Sequence, residues 1–228
     1  MFLAEPALPS GRRHIGQPLA GPNCVPRERC EDMTDDDALQ MIKKRIAETT
    51  LSACAPADAE AVARAESAVG FKFPRFYVRL LTEVANGGFG PGYGIIGIPP
   101  DGFQDDDLNA TLTDAYLQGR DPSAGAYRTP RGLLYLCNWG CGSFSYVDCL
   151  TELPRVVTHE ACENGLEYAE TAPSLAWWLG EWAQGVDVGK EMYEVTGYRD
   201  GINPFTGKPH MFPTVRMKGA RVDFSDRS

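Results

Sequence analysis

Apolar positions recur at helical spacing through the first half of the chain. Leu39, Ile42 and Ile46 lie along one face behind Thr34 and Asp35-Asp36-Asp37. That is a helix with a hydroxyl N-cap and acids at its positive dipole end. Lys43, Lys44 and Arg45 come late, where the negative end favours them. Val62, Ala65 and Val69 predict a second helix over 58–69, ended by Gly70. Pro74 suits the first turn of a third, in which Tyr77, Leu80, Leu81 and Val84 form one stripe. Asn86-Gly87-Gly88 ends it, because Asn and Gly tolerate a left-handed C-cap. Gly90-Pro91-Gly92 prolongs the turn, and residues 93–98 form a short apolar run of strand type.

A polar interval follows over 99–130, with a short helix expected at 108–117 and a loop at 119–130. LLYLCNW and SFSYVDC are strand-like runs joined by Gly140-Cys141-Gly142, a β-hairpin signal. RVVTH, 155–159, reads as a further strand, with His159 half exposed on it. Ser174 opens a last helix, SLAWWLGEWAQG, with Leu175, Trp178, Leu179 and Trp182 on one face as a core stripe. After Gly185 the chain is mixed, then turn-rich at GINPFTGKPHMFP. An extended arm over 186–228, lying on the domain or on a partner, is expected there. Residues 1–33 are rich in Pro, Gly and Arg without period and read as a disordered extension before a domain spanning 34–185. Met33 begins MTDDDALQM, which has the look of a start site, so two readings of the preceding segment stay open: part of the protein, or an upstream extension.

Charge narrows the partners. Of 22 basic and 31 acidic residues, four of each lie in residues 1–32, leaving 18 against 27 in the rest. An acidic body argues against sequence-independent nucleic-acid binding and permits a cationic protein partner. No apolar run approaches the ~18 residues of a membrane span. Seven cysteines at uneven spacing do not form a secreted disulfide framework, and a cytoplasmic location is expected.

Each stretch with chemical potential has a plainer reading beside it. GGFGPGYG follows a helix instead of preceding one, so it offers carbonyls where a phosphate loop needs N–H groups. Asp105, Asp106 and Asp107 lack the spacing of a calcium loop and read as a solvated loop. With Trp139 they are the candidate contacts for a basic partner. Cys137 and Cys141 straddle a turn, but Cys149 and Cys162 are not a second close pair, as structural zinc sites usually have. A thiol hydrolase would take Cys137, Cys141 or Cys149 with His159 as its base. Glu160, Glu163, Glu167 and Glu170 read as a solvated edge. Glu66, near the inner edge of its helix, is either a surface acid or a ligand of the turn around Asn86. No constellation demands a cofactor, metal or catalytic residue.

The stretch AEAVARAESAVGFKFPRFYVRLLTEVANGGFG resembles the SUKH superfamily, in particular its Smi/Knr-like branch. Glu66, Gly70, Pro74, Tyr77, Leu80, Asn86, Gly87 and Gly88 match that pattern: a Glu-bearing helix, a Gly, a Pro-started helix and an Asn-Gly turn. The hairpin ending in Val147-Asp148 and the Trp-rich last helix fit the same plan, over roughly residues 36–185. The resemblance implies an α+β fold, with helices packed on one face of a single mostly antiparallel twisted sheet. It further implies a non-enzymatic protein-binding module. Bacterial relatives are commonly immunity proteins that bind and occlude polymorphic toxins; fungal relatives act as regulatory adaptors.

Overall fold

The computed structural model describes residues 33–49, 51, 53–123, 128–162 and 165–227. Apart from Met33, the expected N-terminal extension, with Cys24 and Cys30, lies outside them.

Local chemistry sets the helix ends. In α1 (Asp35–Glu48) the Thr34 hydroxyl accepts the Asp37 N–H at 3.1 Å, while the Asp37 carboxylate accepts the Thr34 N–H, a reciprocal cap. In α2 (Ala59–Val69) the Asp58 carboxylate accepts the Ala61 N–H at 2.6 Å, and Gly70, at φ 83°, closes the helix. α3 (Arg75–Arg79) starts after Pro74 and widens into a π-helical turn over Leu80–Val84, where the Ala85 N–H reaches back five residues to the Leu80 carbonyl. In α5 (Leu175–Ala183) Ser174 Oγ accepts the Trp177 N–H at 3.1 Å. α1 packs along α5, and Gly180 permits the approach: a Cβ there would overlap the Met33 thioether.

These helices cover one face of a five-stranded antiparallel sheet made of β1 (Leu133–Gly140), β2 (Ser143–Asp148), β3 (Val156–Cys162), β4 (Gly165–Ala172) and β7 (Arg221–Val222), in that order. The fold is α+β, as the sequence predicts. Trp178, Tyr77, Leu80 and Leu81 fill the interior between helices and sheet with almost no exposure. Each such side chain contributes about 1.5–3 kcal/mol of burial. The opposite face carries a row of rings, Tyr135, Tyr146, His159, Tyr168 and Phe224, whose neighbouring centroids lie 5.3–5.7 Å apart.

Several expectations need correction. Residues 93–98 are not a strand, although Tyr93 and Ile96 donate to Asn138 and Leu136 of β1, both at 2.9 Å. The Asn86 side chain takes the N–H and C=O of Ile98 that a strand would offer its neighbour. The helix expected at 108–117 is α4 (Leu112–Gly119), because Asp105 bridges to Ala110 and its carboxylate accepts the Leu108 N–H, holding 105–110 as a turn. The acidic stretch containing Glu167 and Glu170 is β4, whose carboxylates meet Arg221 and Arg155. The segment after Gly185 is not merely extended. It forms α6 (Val188–Glu191) and a separate two-stranded hairpin, β5 (Tyr193–Ile202) with β6 (Pro209–Met217), before β7 joins the main sheet.

Candidate functional site

The residues of the sequence signature support one connection. Glu66 Oε1 accepts the Phe73 N–H at 2.9 Å, and its other oxygen meets Lys72. Glu66 therefore fastens the entry to α3, not the turn around Asn86. Tyr77, fully buried, donates its hydroxyl to the Ile96 carbonyl at 3.4 Å. Asn86 donates to the Ile98 carbonyl at 2.9 Å and accepts its N–H at 2.8 Å, which mimics a strand partner with a side chain. Gly87 (φ 85°) sits where a Cβ would lie 2.5 Å from the Ile95 carbonyl oxygen, and the Gly88 N–H donates to that same oxygen at 2.9 Å. These glycines let two backbones touch.

Asp148 ends β2 with its side chain fully buried. Arg155 donates to one carboxylate oxygen at 3.2 Å, and Arg227 to the other at 2.7 Å. Both guanidiniums lie against Phe224, at 5.8 and 5.0 Å from its centroid. Asp148 thus gathers the C-terminal segment onto the sheet. Sequence reasoning singled out Asp148 but not Arg227, 79 residues away.

Trp139, half buried near the end of β1, is held from several sides. Its indole N–H donates to Ser145 Oγ at 2.9 Å. Ser145 meets Thr158 at 2.8 Å and Thr158 meets Thr171 at 3.0 Å, a chain of hydroxyls across the sheet. Trp178 packs edge-on at 6.3 Å, and α6 crosses at Gly189, where a Cβ would lie 2.7 Å from the Trp139 ring. Two clefts flank this residue. One, of about 320 Å³, is lined by Arg45, Pro91, Gly92, Trp182 and Asp187 besides Trp139; the other, of about 860 Å³, by Cys141, Ser143, Met192, Val195 and Val215.

The three candidate aspartates separate. Asp105 is buried, accepting from Leu108 N–H and, at 3.4 Å, from the Tyr135 hydroxyl; it is a structural residue and does not belong to a contact surface. Asp106 and Asp107 are exposed, and Asp107 accepts from the Asn138 amide at 2.8 Å; neither lines the clefts at Trp139.

The thiols are scattered. Cys137 is buried opposite Ser145 in the β1–β2 register, whereas His159 pairs with Phe144 and so points to the other face of the sheet. Cys141 is exposed at the hairpin turn and Cys149 half buried just after β2. Burial pushes the Cys137 and Cys149 thiols up, away from the reactive thiolate. His159 is buried, not half exposed, and burial pulls its pKa down to about 4 against a backbone hydrogen bond with Gly142 that favours the charged form. The Cys162 and Glu163 side chains lie outside the described residues. Among the described residues no group of three His, Cys, Asp or Glu is placed to hold a metal, and no helix is long and apolar enough to cross a membrane.

No curated protein matches the sequence. A family model, that of the SMI1 / KNR4 family (SUKH-1), matches residues 56–181, from the residues before α2 to the middle of α5. The match takes in the Glu66–Asn86 connection, β1 to β4 and Asp148, and it covers more than half of the 228 residues. It bears out the resemblance drawn from the Glu, Gly, Pro and Asn-Gly pattern: the chain belongs to the SMI1 / KNR4 family (SUKH-1).

Proposed function

We propose that this protein is a non-enzymatic binding module that acts as an immunity protein, binding a cationic toxin domain and covering its working surface. Family membership supports the class. The single observation that carries the surface is Trp139: a large aromatic fixed by Ser145, Trp178 and α6 before any partner arrives, at the meeting of two clefts. A preorganised aromatic loses little entropy on contact and is the residue type that dominates protein interfaces. Asp106 and Asp107 are exposed on the loop tied to β1 through Asn138, and the body's excess of acids favours approach of a basic partner. A thiol hydrolase finds less support, since Cys137 and His159 occupy opposite faces of the sheet.

The test is a titration of a candidate cationic toxin domain from a neighbouring gene into the purified protein, with rescue of growth in cells expressing that toxin. A tight complex whose formation inhibits the toxin is expected. No binding to that domain, or turnover of a substrate by this protein alone, would sink the proposal.

A further inference from the structure

The hairpin of β5 and β6 has two unlike faces. Tyr198 opposes Pro213, Asp200 opposes Met211, Ile202 opposes Pro209 and Val195 opposes Val215; the ladder slips between Val195 and Gly197. Opposed residues share a face, and faces alternate along each strand. The extra residue, Thr196, resets that alternation, so Val195 joins Tyr198 and Ile202 on one side. Val195, Tyr198, Ile202, Met211 and Val215 on that side are 51–63% exposed. Asp200 is its one charged residue; Glu194, Arg199, His210 and Arg216 lie on the other side. The described hydrogen bonds joining the hairpin to the body lie at its root, between Tyr193 and Ser143 and from Lys218 to Met192 and Glu191. A two-stranded sheet with an open apolar face is marginal in water.

We infer that this face is the contact surface for a second copy of the chain, the two hairpins stacking apolar face to apolar face about a two-fold axis. An apolar surface with a single charge calls for an apolar surface in return, and a second copy supplies one of the same size and outline. Charge favours the antiparallel arrangement. Residues 193–218 hold four basic and two acidic residues, whereas residues 33–192 hold 12 and 23. Arg199 and Lys208 have no ion pair among the described residues. Ten residues of strand span roughly 33 Å, so stacking brings the Phe205–Lys208 tip of each hairpin to the acidic body of the other. The stack buries on the order of 1,000 Å² in total, at the lower edge of specific interfaces, which fits a dimer of micromolar affinity. The near end of this face, Val195 and Val215, lines the larger cleft beside Trp139; self-association is measured with no toxin present, so its failure and that of toxin binding are told apart.

Sedimentation equilibrium on the full chain, from about 1 to about 100 µM, tests it. A mass rising from 24.9 kDa toward twice that value is expected, with amide exchange in residues 193–217 slowing as concentration rises. Ile202→Lys with Val215→Lys raises the dimer dissociation constant at least about tenfold, while Thr214→Lys on the other side leaves it unchanged. Monomer mass across the range with concentration-independent exchange overturns the inference. So does a dimer indifferent to the paired substitution, or a hairpin protected only by a different protein.

Discussion

Arg227 Nη1 lies 2.7 Å from Asp148 Oδ1, joining the end of the chain to a carboxylate with no solvent exposure. Arg155 holds the other oxygen, and Phe224 lies under both guanidiniums. The segment that supplies Arg227 and Phe224 falls beyond the family match, yet it completes the sheet edge through β7. Arg227→Ala leaves one buried oxygen with only the Leu150 N–H, at 3.2 Å. A loss of about 2 kcal/mol in chemical denaturation is expected. A change under ~0.5 kcal/mol would mean that water replaces the arginine without cost.

The glycine connection makes a graded prediction. A Cβ at Gly97 would overlap the Asn86 carbonyl oxygen and press on Gly102 and Phe103 backbone, none of which can swing away. At Gly70 a Cβ would meet nothing within 4 Å, and only the left-handed φ of 83° opposes it. Gly70→Ala is expected to cost about 1 kcal/mol and Gly97→Ala several times as much, measured by thermal unfolding. Equal costs would show that conformational freedom, not close packing, is why glycine stands at 97.

His159 sets a pH dependence. Its folded-state pKa of about 4 lies below the ordinary 6.5, so the unfolded chain takes up the proton first as pH falls. The contribution is complete above about pH 6.5 and is lost progressively toward pH 4, up to ~3 kcal/mol. His159→Phe, which keeps a ring against Tyr146, is expected to flatten stability between those limits. An unchanged slope would assign the acid sensitivity to other groups.

Thiol reactivity tests whether two of the three candidate nucleophiles, Cys137 and Cys149, are shielded. Cys141 is exposed, while Cys137 and Cys149 are shielded and resist ionisation. Under native conditions alkylation, read by peptide mass, is expected at Cys141 well before Cys137 or Cys149. A fast Cys137 or Cys149 would reopen the thiol-enzyme reading.

What could be read from the sequence was mostly local. Thr34, Gly70 and Ser174 act within a few residues of themselves, and their caps stand where they were expected. What escaped depends on distant partners. Asn86 satisfies Ile98 by a side chain, which dissolves an apolar run that otherwise reads as a strand. Asp105 sits among exposed acids but turns inward toward Tyr135. The bulge at Thr196 breaks the alternation that would have shown β5 as one-sided. Trp139 drew notice as an aromatic near a turn; the hydroxyl chain that fixes it spans four strands and has no sequence signature.

The most direct measurement is calorimetric titration of a candidate cationic toxin domain from a neighbouring gene into wild-type protein, Trp139→Ala, and Asp106→Lys with Asp107→Lys. Truncating Trp139 is expected to weaken binding by about 2 kcal/mol, roughly 30-fold, and the charge reversal to slow association more than it speeds dissociation. Circular dichroism should match wild type for the paired lysine variant, and unfolding should show a loss of only about 1 kcal/mol, from the Asn138 amide that Asp107 accepts. Affinity unchanged in both variants would contradict a partner surface built on Trp139, Asp106 and Asp107.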